Sequence, residues 1–179
     1  MVLEGTVGVG TASWANGIDA PDPRAALDPS ALRPTYTVDT APVGRPLRPL
    51  GAFVSAGGAR RLALDDLGQT SSRVPTGRLH PWLLTVRMAP SPGATSPYGP
   101  TIHVRPQIQH RGPALAEQEI VVGARIVEVY ERKEHWYQVL DGLGDAAASG
   151  CPEVACLRHH TIFRPRGTTP APITSDPLA

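Results

Sequence analysis

Between Ile102 and Gln109 the chain alternates strictly, and this constrains its fold more than any other feature: Ile102, Val104 and Ile108 against His103, Arg105, Gln107 and Gln109. Successive side chains of a strand take opposite faces, so the stretch reads as a strand with one core face and one polar face. On that reading His103 and Arg105, two residues apart, share the polar face. Arg111-Gly112-Pro113 makes a turn, and a β-branched run follows from Glu119 to Glu131. Arg132 to Glu134 is a polar hairpin tip, with a further strand running to Val139. Gly142 to Gly150 reads as a flexible hairpin connection, and Val154 to Arg166 as the last strand.

The upstream half carries helical signals. Phe53, Ala56, Ala59, Ala63, Leu64 and Leu67 recur as one apolar stripe, which predicts a helix over 51–67 with Gly68 at its left-handed cap. Tyr36-Thr37-Val38 reads as a short strand before it. A second helix is expected from His80, with Pro81 at the first position, where a missing N–H costs nothing. It must stop at Met88, because APSPGATSPYGP follows. Residues 1–33 and 167–179 are rich in Gly, Ala, Pro and Thr without a period, and read as flexible arms around one domain at 34–166.

Several function classes are excluded. A net charge of +1 offers no broad field for nucleic acid or an anionic membrane. No apolar run reaches the ~18 residues that a spanning helix needs. The start, MVLEGTVGVGTASWANG, has no basic stretch before an apolar one, so no leader is expected. Two cysteines fit free thiols in a reducing cytoplasm. Cys151, Cys156, His159 and His160 lie close in sequence, but ligands on one strand face stand ~6–7 Å apart, which does not suit a single ion. No metal is expected, and RHHTIFRPR reads as a strand end with solvated charges.

Five segments together resemble the MaoC-like acyl dehydratases and hydratases: Ile102-His103-Val104, Gln107-Ile108-Gln109-His110, Ala116-Glu117-Gln118, Tyr130-Glu131-Arg132-Lys133-Glu134-His135 and His160-Thr161-Ile162-Phe163-Arg164-Pro165-Arg166. Leu79-His80-Pro81 is a fainter echo upstream. The resemblance implies an α+β single hotdog fold, an antiparallel sheet of about five strands wrapped around a central helix. It implies an acyl thioester of coenzyme A or of a carrier protein as ligand, no cofactor, and a homodimer or a heterodimer with another hotdog chain.

In that family an Asp and a His five residues later do the acid–base work, in a Gly-Asp-x-x-x-x-His stretch. Here the stretch is Gly68-Gln69-Thr70-Ser71-Ser72-Arg73-Val74, so Gln69 replaces the Asp and Val74 the His. Pro81 stands where the family has a Gly whose N–H holds the thioester oxygen, which leaves Trp82 as the nearest replacement donor. The catalytic candidates that remain are His80, His103 and Asp66. Gln69, Trp82 and Arg105 are candidates for binding substrate, with His103 and Arg105 facing a pantetheine arm or a phosphate of coenzyme A. Three readings follow: a (3R)-hydroxyacyl dehydratase or enoyl hydratase; a non-catalytic subunit that shapes a partner's acyl channel; and a thioesterase using Asp65 or Asp66.

Overall fold

A computed structural model describes residues 8–20, 35–68, 77–81, 96–146 and 153–171. Five strands, β1 (Leu50–Val54), β2 (Ile102–His110), β3 (Gln118–Arg132), β4 (His135–Ala146) and β5 (Glu153–Arg164), form one sheet in the order β1-β3-β4-β5-β2. Every neighbouring pair is antiparallel. A helix, α1 (Ala56–Arg61), follows β1 and runs on through a π turn at Leu62–Asp66. A sheet with a helix against one face is the hotdog-like arrangement that the resemblance implies.

The helical expectation for 51–67 is half corrected. Residues 50–54 pair with β3, from Leu50 opposite Val122 to Val54 opposite Gln118. The helix begins only after Ser55, whose hydroxyl accepts the Gly58 N–H at 3.1 Å. A serine cap satisfies one of the N–H groups that a helix start leaves without a partner. Ala59 and Ala63 are buried as the stripe requires, and Gly68 has φ +61. Tyr36 to Val38 forms no strand. Pro81 already has helical backbone, and 82–88 of the second expected helix lie outside the described residues.

Paired residues on adjacent strands share a face, which lets the rows of the sheet be read directly. Val122–Gly144–Ala155, Ala124–Gly142–Leu157–Ile108 and Ile126–Leu140–His159–Pro106 are consecutive rows of the core face. They feed two apolar clusters. One joins Val54, Ala59, Leu79, Ala114 and Leu157, and the other joins Tyr36, Leu47, Ile126, Leu140 and Phe163. Gly142 belongs to the strand rather than to a loop. A Cβ there would come 2.9 Å from Leu157 Cδ2, so the glycine makes room for its neighbour. Strand β4 thus runs on to Ala146, and the expected connection at 147–150 lies outside the described residues.

The other face is not left to water. Residues 12–19, expected as part of a flexible arm, lie across it with a 3-10 turn at Ser13–Gly17. Ala12 N–H donates to Gln109 Oε1 at 2.9 Å, and Arg111 donates to the Ala15 carbonyl at 3.0 Å. Arg158 donates to the Gly17 carbonyl, and Asp19 N–H to Asp141 Oδ2, each at 2.9 Å. Beneath the segment, Asp141 is fully buried and takes two bonds from Arg158, at 2.7 and 2.6 Å. A buried carboxylate persists only when paired and fully hydrogen-bonded. In the C-terminal tail, Ala171 N–H donates to the Pro97 carbonyl at 3.0 Å.

Two outcomes follow for stability. Deleting residues 1–20 uncovers the Asp141–Arg158 pair and removes those four hydrogen bonds and the Arg125–Asp19 ion pair at 2.6 Å. We expect the unfolding free energy from a urea titration to fall by more than ~1 kcal/mol, beyond an ordinary surface change, and an unchanged value would show that the segment holds nothing. The turn between β3 and β4 places Lys133 at φ 53 and Glu134 at φ 62, a left-handed conformation that non-glycine residues adopt at a cost. Glu134→Gly is therefore expected to stabilise by about 1 kcal/mol in the same measurement.

Candidate functional site

The alternation of β2 does not run through unbroken. His103 pairs with Thr161 but Arg105 pairs with His160, so two residues of β2 span one step of β5 and Val104 is bulged. His103 and Arg105 consequently lie on opposite faces, not on one. Arg105 joins the row of Val139 and His160 on the outer face. His103 turns to the core face, level with Pro106 and Ile108. The next residue after Arg105 is proline, which is tolerated here because β2 is an edge strand and one side of its backbone needs no partner.

The bulge completes a polar row. After Ile126–Leu140–His159–Pro106 the next row of the core face is Val129–Gln138–Thr161–His103. Gln138 and Thr161 are fully buried, and His159 is 1% exposed. His103 Nδ1 lies 3.0 Å from His159 Nε2, with the two rings 15° from parallel and 4.7 Å apart at their centroids. The pair is thus an offset stack closed by one nitrogen–nitrogen hydrogen bond. Tyr36 donates its hydroxyl to Gln138 Oε1. Burial pushes the Tyr36 phenol up to about 12, and the Gln138 bond offsets this in part. The Thr161 hydroxyl finds no hydrogen-bond partner among the described residues.

Along β5 the band has Leu157 of one apolar cluster on one side and Phe163 of the other cluster on the other side. It is buried at its centre and reaches water at His103, which is exposed on the edge strand. At its exposed end such a band can exchange a proton through His103, while its inner members are packed between apolar side chains.

The other candidates are placed elsewhere. His80 is half-buried next to Leu79, which belongs to the first apolar cluster. Asp65 and Asp66 are exposed on the π turn after α1. That turn follows β1, at the edge of the sheet opposite β2. Gln69, Val74, Trp82 and Cys151 lie outside the described residues. Cys156, Arg158 and His160 share the outer face and His159 takes the core face, as the strand spacing predicts. Burial pushes the Cys156 thiol up, and burial followed by the Arg105 and Arg158 charges lowers His160. Among the described residues no three His, Cys, Asp or Glu side chains converge on a metal position.

Sequence reasoning did not join His159, Thr161, Gln138 and Tyr36 to His103 in one site. The His159-His160 pair did carry a signal, because adjacent residues on a strand must face opposite ways and one of them had to enter the core. Tyr36 lies 102 residues from its partner Gln138, and no local pattern could join them.

No protein-family model matches the sequence, and no curated protein matches it either. Solved structures do match in fold. The monoamine oxidase regulatory protein from Archaeoglobus fulgidus superimposes with TM-score 0.53 at 9% identity, over 75% of this chain and 99% of that one. The ChsH1–ChsH2 complex from Mycobacterium tuberculosis gives 0.51 at 12%, over 68% of this chain and 90% of that one. The MaoC-like dehydratase from Rhodospirillum rubrum gives 0.49 at 12%, over 69% and 93%. At these identities the likeness to the first two is one of fold.

Tyr36 gives a direct check on the buried band. A phenol raised from 10.0 to about 12 on folding contributes stability that is present in full below pH 10 and is lost as pH rises through about 12. Tyr36→Phe should flatten that alkaline loss while lowering stability at neutral pH by about 1 kcal/mol, the scale of one hydrogen bond. Parallel alkaline curves for the two proteins would place the phenol outside the band.

Proposed function

We propose that this chain handles acyl thioesters, of coenzyme A or of a carrier protein, in the manner of an enoyl hydratase or (3R)-hydroxyacyl dehydratase. The sequence resemblance supports the thioester class, and the hotdog-like fold is compatible with it. The observation that carries the reading is the band Gln138–Thr161–His103, with His159 beside it, laid across an otherwise apolar core face and open to water at one end. An acyl chain needs apolar walls, and the hydration of its double bond needs a placed acid–base group.

The reading includes a dimer. Both sheet edges carry exposed apolar side chains, Phe53 at 62% on β1 and Ile102 and Val104 at 49% each on β2. Open edges with apolar side chains invite pairing with another strand. A cytoplasmic location is part of the same proposal. Among the described residues no helix is long and apolar enough to cross a membrane.

One sequence observation favours the second reading, a non-catalytic subunit. Gln69 and Val74 occupy the positions where the resembled family keeps its acid–base pair. Loss of a placed acid–base group typically costs ~10²–10⁴ in rate. We therefore expect crotonyl-coenzyme A to bind saturably and to be hydrated slowly, followed by the loss of enoyl-thioester absorbance. Binding with no turnover selects the subunit reading, and no binding at millimolar ligand rejects the thioester class.

A further inference from the structure

We infer that His103 is the proton-transfer residue of this site and that His159 positions it, an assignment that rests on the acyl-thioester reading above. The bulge at Val104 turns His103 away from Arg105 and onto the face that carries the band. There it is the one imidazole of the pair that water reaches, while His159 is 1% exposed. The contact at 3.0 Å uses Nδ1 of His103 and leaves its Nε2 directed outside the pair.

The geometry defines a proton cycle. Two N–H groups cannot face each other across 3.0 Å, so one nitrogen of the pair must accept. When His103 carries a proton on both nitrogens, its Nδ1–H donates and His159 Nε2 accepts. When His103 is neutral with that same bond in place, Nε2 has a free lone pair and is a base. A partner on one ring nitrogen thus sets the protonation of the other, and the near-parallel stack fixes the ring plane.

For an enoyl thioester the balanced step is as follows. Nε2 of His103 takes a proton from water as the water oxygen bonds to C3. The C2–C3 π pair shifts toward the thioester carbonyl, giving the enolate. The imidazolium returns the same proton to C2, and the product is the 3-hydroxyacyl thioester. No second acid–base residue is consumed, which suits a chain with Gln69 and Val74 at the family's usual positions. The Thr161 hydroxyl is buried in the same row of the core face as His103 and has no partner among the described residues.

The test uses the full chain with crotonyl-coenzyme A, reading binding by calorimetry and hydration by absorbance. His103 is exposed, so His103→Gln and His103→Gly are compatible with folding. We expect His103→Gln to lower kcat by ~10²-fold or more while KM stays within about twofold. We expect imidazole in the buffer to restore part of the activity of His103→Gly. For the positioning role, His159→Gln keeps a hydrogen-bonding atom near Nε2 and His159→Leu does not. The Gln variant should retain more kcat than the Leu variant, with binding equal in both. Wild-type turnover that is unchanged in His103→Gln, or binding without any turnover, overturns the assignment and leaves the thioester reading standing. Failure of the wild type to bind crotonyl-coenzyme A overturns the thioester reading and the assignment with it.

Discussion

Both faces of β4 and β5 are withdrawn from water, and most of what the molecule does with its polar groups follows from that constraint. A sheet with one wet face can place its polar side chains there. Here the core face meets the two apolar clusters and the outer face meets residues 12–19. Gln138, Asp141, His159 and Thr161 are therefore all buried. Three of them, Gln138, Asp141 and His159, are held by side-chain partners, and an unpaired buried polar group costs ~1–3 kcal/mol.

The two faces solve this differently. On the outer face the solution is ionic. Arg158 grips both oxygens of Asp141, and the chain's own backbone at Gly17 and Asp19 takes up remaining hydrogen bonds. On the core face the solution is neutral and open at one end. Tyr36 donates to Gln138 and His159 meets His103, whereas the Thr161 hydroxyl is left over. A leftover donor beside an exposed imidazole is chemistry not consumed by folding, and this is why the core face carries the functional proposal.

The bulge at Val104 links these observations. Without it, the alternation of β2 would send His103 out beside Arg105, and the core-face row would end at Thr161. The resulting edge carries Ile102 and Val104 exposed, a cost that a partner strand would relieve. One inserted residue thus moves a titratable group into the site and roughens the edge next to it. Proline at 106 was the local sign that the ladder is irregular there, because proline in a strand is confined to edges and bulges.

The sequence by itself determined the existence and order of the strands after Ile102 though not the end of β4, together with the polar tip at Arg132–Glu134, the left-handed cap at Gly68 and the opposed faces of His159 and His160. All of these depend on a period of two or on single-residue backbone preferences, which are local. The resemblance of those strands was enough to indicate a hotdog-like sheet. The helix boundary at Ser55 was also local, and the competing apolar stripe from Phe53 hid it. Only the tertiary structure decided which face His103 takes, because register is set by pairing with β5 and one bulge reverses it. It alone brought Tyr36 to Gln138, 102 residues away, and laid residues 12–19 across Asp141 and Arg158. Those contacts join segments whose sequences carry no mutual signal. They offset the desolvation cost of charges and hydroxyls that only the assembled sheet withdraws from water.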